Sequence, residues 1–81
     1  MSSGSFSRYE EVSLSNNASE TLQGSGFIML YGPASIYTSD NKEIYYYNSI
    51  NWSSVLIPFF SGNIIKNPND YYTSKFKIWY I

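Results

Sequence analysis

The chain has 81 residues with no cysteine and no histidine, so it is one small domain with no disulfide and no thiolate or imidazole metal site to staple it. A net charge of −1, with charged residues at only 14%, leaves no basic patch to neutralise phosphates, which excludes nucleic-acid binding. No stretch approaches the ~20 consecutive apolar residues of a membrane helix, and the first residues lack the basic-then-apolar pattern of a signal peptide.

In chain order, residues 1–8 are Ser- and Gly-rich and are expected to form a flexible lead-in or connector, followed by a single domain over residues 9–81. Tyr9-Glu-Glu-Val-Ser-Leu14 predicts a first strand with Val12 and Leu14 on one face. Asn16-Asn-Ala-Ser19 is a turn, and Glu20-Thr-Leu-Gln23 predicts a short second strand. After Gly24-Ser-Gly26, the run Phe27-Ile-Met-Leu-Tyr31 is apolar on both faces. It predicts a strand covered by the core on one side and by a second layer or subunit on the other.

Gly32-Pro33 turns into a strand at Ala34-Ser-Ile-Tyr-Thr38. Ser39-Asp-Asn-Lys42 is a hairpin loop and Glu43-Ile-Tyr-Tyr-Tyr47 the returning strand, with Ile36 and Ile44 expected at matching core positions. A loop carrying Trp52 leads to Ser54-Val-Leu-Ile57, ended by Pro58. Ser61-Gly-Asn63 turns into a short strand at Ile64 and Ile65. Asn67-Pro-Asn-Asp70 turns again, and Tyr71-Tyr-Thr is read as extended. The final run Lys75-Phe-Lys-Ile-Trp-Tyr-Ile81 has period two in strand-favouring residues. Phe76, Ile78 and Tyr80 face the core, while Trp79 and Ile81 add apolar bulk to the face that Lys75 and Lys77 mark as outer. No segment has a helical period of useful length, and short strands at near-regular spacing predict an all-β fold, a small antiparallel β-sandwich or jelly roll.

The inventory of reactive groups argues against an enzyme. Acid–base catalysis near neutral pH favours histidine, and the carboxylates at Asp40 and Asp70 stand where turns call for aspartate. Glu10 and Glu11 are adjacent and point to opposite faces of one strand. Asp40-Asn41 and Asn69-Asp70 lack the repeated acidic spacing of a calcium loop, so no catalytic residue, metal site or cofactor is assigned. Asn17-Ala-Ser19 and Asn51-Trp-Ser53 match the N-glycosylation pattern, as chance allows in a chain rich in Asn and Ser.

Tyr45-Tyr-Tyr47 is the sharpest local feature. Tyr46 takes the face opposite Tyr45 and Tyr47, and with Asn48, Asn51 and Trp52 it forms a candidate ligand contact for a glycan. Because Tyr is abundant throughout the chain, the favoured reading is that these rings pack the sandwich or a subunit interface, with the glycan contact as the alternative. The loops at residues 39–42 and 48–52 are the expected ligand side. Phe27, Met29, Trp79 and Ile81 are the expected subunit interface, because an 81-residue core with no covalent staple leaves oligomerisation as the remaining route to a comfortable stability margin.

Five segments in order resemble the small β-sandwich domains of bacteriophage fibres and tail tips, jelly rolls similar in shape to tumour-necrosis-factor-like trimers. They are Gln23-Gly-Ser-Gly-Phe27, Ser35-Ile-Tyr37, Val55-Leu-Ile-Pro58, Ser61-Gly-Asn-Ile64 and Phe76-Lys-Ile-Trp-Tyr80, spread over residues 20–81. The chain departs from that pattern at the Gly turn, which in such domains is commonly flanked by basic and acidic residues. It also lacks the usual proline before Phe27. The resemblance implies a non-enzymatic structural or adhesive virion domain, homotrimeric, assembled in the host cytoplasm and carried on the particle. Its partners would be copies of itself, other virion proteins and a host-surface glycan. The alternatives are a stand-alone carbohydrate-binding module, or a cement or plug protein that binds only other virion proteins.

Overall fold

Strand-favouring runs, broken by Gly, Pro and Asn, give eight strands among the described residues: β1 (Arg8–Leu14), β2 (Ser19–Thr21), β3 (Gly26–Tyr31), β4 (Ala34–Tyr37), β5 (Glu43–Tyr47), β6 (Ser54–Phe59), β7 (Ile64–Lys66) and β8 (Ser74–Tyr80). The computed structural model describes residues 6–47 and 54–81. β1 pairs with β8, β2 with β7, β3 with β6 and β4 with β5, all antiparallel. The chain is therefore one long ribbon, with Arg8 opposite Tyr80 at its open end and the β4–β5 loop at its tip. Two further pairings, β3 with β8 and β4 with β7, fold the ribbon into two four-stranded sheets of order β1-β8-β3-β6 and β2-β7-β4-β5. This nested order is the jelly roll anticipated from the sequence.

The core lies between the sheets. Ile28 and Leu30 of β3, Phe76 and Ile78 of β8, Ile36 of β4, Ile65 of β7 and Phe59 of β6 are all buried, with Leu22 and Leu14 filling the ends. Each such side chain contributes about 1.5–3 kcal/mol on leaving water. The accessible surface of 5072 Å² equals the roughly 5,000 Å² that area scaling gives a compact chain of this mass.

Three expectations change. Ile44 does not meet Ile36. The register is Ile36 with Tyr45 and then Tyr37 with Glu43, so Ile44 is the extra residue of a β-bulge and is 53% exposed. Tyr45 and Tyr47 pack on the core in its place. Pro58 does not end its strand: β6 runs on to Phe59 with Pro58 opposite Phe27, tolerated because β6 is an edge strand. Residues 71–73 belong to no strand. At the start of the domain, β1 begins at Arg8, and the Ser7 N–H continues the pairing by donating to the Tyr80 carbonyl at 2.8 Å.

The seam around β8 leaves no slack. A Cβ on Gly26 would sit 1.9 Å from the Trp79 carbonyl oxygen, so backbone meets backbone there and only glycine fits. Tyr80 closes the same end of the core. Its ring packs edge-on against Phe59, with centroids 5.5 Å apart, and lies under the Arg8 guanidinium at 3.9 Å. Its hydroxyl donates to Glu10 Oε1 at 3.1 Å. Burial, the largest cause, raises the phenol above its ordinary 10.0; Glu10 adds to the rise and Arg8 opposes it.

Two outcomes follow from the seam. Gly26→Ala forces the strands apart and should cost at least about 2 kcal/mol, a fall in Tm of roughly 8–16 °C, measured by calorimetry. Because the folded phenol of Tyr80 holds its proton more tightly than the unfolded one, its contribution is complete below pH 10 and is lost as pH rises through the folded value. Urea titrations above pH 10 should therefore show stability falling more steeply in the native chain than in Tyr80→Phe. Equal slopes would contradict the assignment.

Candidate functional site

The register of β1-β8-β3-β6 arranges its outward side chains as a grid. The first row is Tyr9, Trp79, Phe27 and Pro58; the second is Glu11, Lys77, Met29 and Leu56; the third is Ser13, Lys75, Tyr31 and Ser54. Phe6 lies over the first row, edge-on to Phe27 at 6.3 Å, and Tyr9 tilts against Trp79 at 5.3 Å. Phe6, Phe27, Met29, Leu56 and Trp79 line an apolar hollow of about 330 Å³. A second hollow of about 370 Å³ lies beside it, flanked by Glu11, Tyr31, Lys75 and Lys77.

This face is unusually apolar for a solvent side. Phe6, Tyr9, Phe27, Tyr31 and Leu56 are all exposed. At 150–250 Å² per aromatic ring, roughly half of it open, they alone present on the order of 400 Å². That equals the largest patch on a typical monomer before Trp79, Met29 and Pro58 are counted. The charges on the face are not neutralised in place. Among the described residues the one ion pair is Arg8–Glu10 at 3.8 Å, so Lys75 and Lys77 have no acidic partner within bridging distance. Glu11, opposite Lys77 in the register, instead accepts a hydrogen bond from the Tyr9 hydroxyl at 3.0 Å.

Of the expected interface residues, Phe27 and Trp79 are direct cross-strand neighbours and Met29 is in the adjacent row. Ile81 lies just beyond β8 and is exposed, its N–H donating to the Ser25 carbonyl at 2.9 Å. Of the expected ligand contacts, Tyr46 is 54% exposed on the other sheet, on the edge strand β5 opposite Ser35. Asn48, Asn51 and Trp52 lie outside the described residues. The sequence reading missed Phe6, Tyr9, Leu56 and Pro58 as members of the face. Alternation within β1 carried part of that signal, Tyr9 and Glu11 alternating with Glu10 and Val12, whereas Val55-Leu-Ile-Pro58 is apolar throughout and only the register turns Leu56 and Pro58 outward.

A second surface is the loop of residues 67–72. Asn67 is 0% exposed and is the hub. Its Nδ2 donates to the carbonyls of Leu14 at 3.0 Å, Ser15 at 3.2 Å and Tyr72 at 2.7 Å, and its Oδ1 accepts from the Asn69 N–H at 3.0 Å. Asn69 Oδ1 in turn accepts from the N–H groups of Tyr71 and Tyr72 at 2.6 and 3.0 Å. From the first turn, Asn16 Nδ2 donates to the Asp70 carbonyl at 2.8 Å and Asn17 Nδ2 to Asp70 Oδ1 at 2.6 Å. Asn17 holds the left-handed φ of 60° that asparagine tolerates. Amide side chains thus fix the shape of the whole loop, while Tyr71 at its tip is 83% exposed.

Asn67→Ala would leave the Tyr72 and Leu14 carbonyls without this donor. It should cost about 1–3 kcal/mol of stability in denaturant titrations, and amide exchange at residues 69–72 should accelerate by more than the global loss explains. No protein-family model, no curated protein and no solved structure matches the chain, so the likeness to phage fibre domains rests on the sequence motifs alone.

Proposed function

We propose that the chain is a non-enzymatic structural and adhesive domain of a virion, a phage fibre or tail component that assembles as a homotrimer through the outer face of the β1-β8-β3-β6 sheet. One observation carries the reading: Phe27, Met29 and Trp79 lie together on a broad apolar face that the described chain leaves partly open to solvent. The fold requires only the inner face of that sheet to be apolar, so the rings on the outer face need another explanation. The jelly-roll architecture is consistent with the role, since it is common among viral structural and lectin domains.

Magnitudes favour self-contact. Covering the ~400 Å² face yields about 10 kcal/mol of gross apolar burial at ~25 cal/mol/Å², and about 20 kcal/mol if the surface it meets is equally apolar. Rigid-body association costs about 4–15 kcal/mol, before side-chain ordering. The difference, at most about 5–16 kcal/mol, spans the ~8 kcal/mol of a micromolar complex. Three-fold closure makes each contact heterologous, the face of one copy meeting a different surface of the next. Assembly places three adhesive surfaces on one particle, and linkage raises their avidity without new contacts.

Sedimentation equilibrium tests this reading. The native chain should sediment with the mass of three chains and Trp79→Asp with the mass of one, still folded because Trp79 points away from the core but without the Tm gain that assembly supplies. A native chain that stays monomeric at high concentration would overturn self-assembly, and a mass of two chains would overturn the trimer.

A further inference from the structure

The loop of residues 67–72 is built more rigidly than a connection needs. Pro68 restricts its start, a fully buried asparagine is its hub, and three other asparagine side chains hold its backbone and the Asp70 carboxylate. What it presents is an open ring: Tyr71 is the most exposed large apolar side chain among the described residues, held at 6.4 Å and 62° to Tyr72. Asp70 uses Oδ1 to accept from Asn17, and Oδ2 has no protein donor among the described residues. The loop thus combines an aromatic plate, a carboxylate oxygen aimed at solvent and a backbone that cannot drift.

We propose that this loop is a carbohydrate contact, in which the Tyr71 ring stacks on the C–H face of a neutral pyranose and Asp70 Oδ2 accepts a hydrogen bond from a ring hydroxyl. Size selects a sugar over a protein partner. One or two rings offer about 150–250 Å² each, well short of the ~800 Å² each partner gives to a stable protein interface, but enough to cover one face of a sugar ring. Chemistry agrees, since a pyranose pairs an apolar C–H face with hydroxyl donors and the loop pairs an aromatic face with an acceptor. Rigidity agrees too, because a tyrosine on a fixed backbone binds with little entropy left to lose. The site is distinct from Tyr46 and from the outer sheet face, so it does not depend on the assembly reading.

The test is an NMR titration of the full chain with millimolar methyl glycosides of glucose, galactose, mannose and N-acetylglucosamine and their short oligomers, followed by amide shifts and by saturation transfer to the sugar. At least one sugar should shift residues 69–72 saturably, with transfer strongest to the C–H groups of one ring face. Tyr71→Ala should weaken that binding about tenfold with Tm unchanged, Asn69→Ala should weaken it while keeping the ring, and Tyr46→Ala should leave it intact. Monomeric Trp79→Asp should bind a single sugar as the native chain does, which separates failure of this site from failure of assembly. Shifts centred elsewhere, undiminished binding by Tyr71→Ala, or no response of the loop to any sugar in the panel would each overturn the proposal, the last leaving the loop to a protein partner.

Discussion

β8 is the strand on which the rest of the molecule depends. It is paired on both sides, with β1 and with β3, and it joins the two ends of the chain. Its inward residues Ser74, Phe76, Ile78 and Tyr80 are buried, and its outward residues Lys75, Lys77 and Trp79 run down the middle of the outer face. Ser74 also ties the strand to the β3–β4 turn, its hydroxyl donating to the Pro33 carbonyl at 2.6 Å. The pairings are non-local, so loop-closure entropy must be overcome before they stabilise anything, and a fold of this kind forms slowly, in about milliseconds to seconds. The tight fit of Gly26 against Trp79 is what such a seam demands, since the strand that closes the ribbon has to meet its neighbours in one register.

The two faces of one sheet separate the core from a second apolar surface. Ile28 and Leu30 point inward and form the core, while Phe27, Met29 and Tyr31 of the same strand point outward into a patch the core does not use. Solvent tolerates single exposed rings. It is less tolerant of Phe6, Tyr9, Phe27, Leu56 and Trp79 in one cluster, beside Lys75 and Lys77, which form no ion pair among the described residues. A domain of this size stands near the limit of what its own core can stabilise, so burial against a copy of itself would strengthen the fold by mass action as well as build the assembly. At the edges, the bulge at Ile44 and Pro58 in β6 both interrupt regular strand pairing. These features disfavour further strand pairing at the β5 and β6 edges.

The sequence made the architecture legible because period two survives in the long strands. The inward sets of β1 and β8 can be read by eye, and so can the punctuation by Gly32-Pro33 and Ser61-Gly-Asn63, whereas β3 is apolar on both faces. It could not show the bulge at Ile44, since a one-residue slip depends on which neighbour wins the core position, and two tyrosines won it. Nor could it show that Pro58 stays in its strand, because edge position is a property of the whole sheet. Phe27, Met29 and Trp79 were legible as outward residues. Their union with Tyr9, Phe6 and Leu56 required the register of strands far apart in the chain. The loop of residues 67–72 was the least legible part: Asn67-Pro-Asn-Asp70 reads as an ordinary turn, and only the partners of Asn67 and Asn69, up to 53 residues away, reveal its rigidity.

Met29 offers the most direct probe of the outer face, because the chain has only two methionines and one of them is the first residue. With ¹³C-labelled methionine methyls and a soluble paramagnetic agent, the Met29 signal reports contact at the centre of the face as protein concentration rises. The account predicts that Met29 becomes shielded from the agent through the assembly transition, and that a Trp79→Asp chain keeps it exposed throughout. A Met29 methyl equally accessible at all concentrations, in a chain that nonetheless forms oligomers, would show that the contact lies elsewhere and would contradict the account.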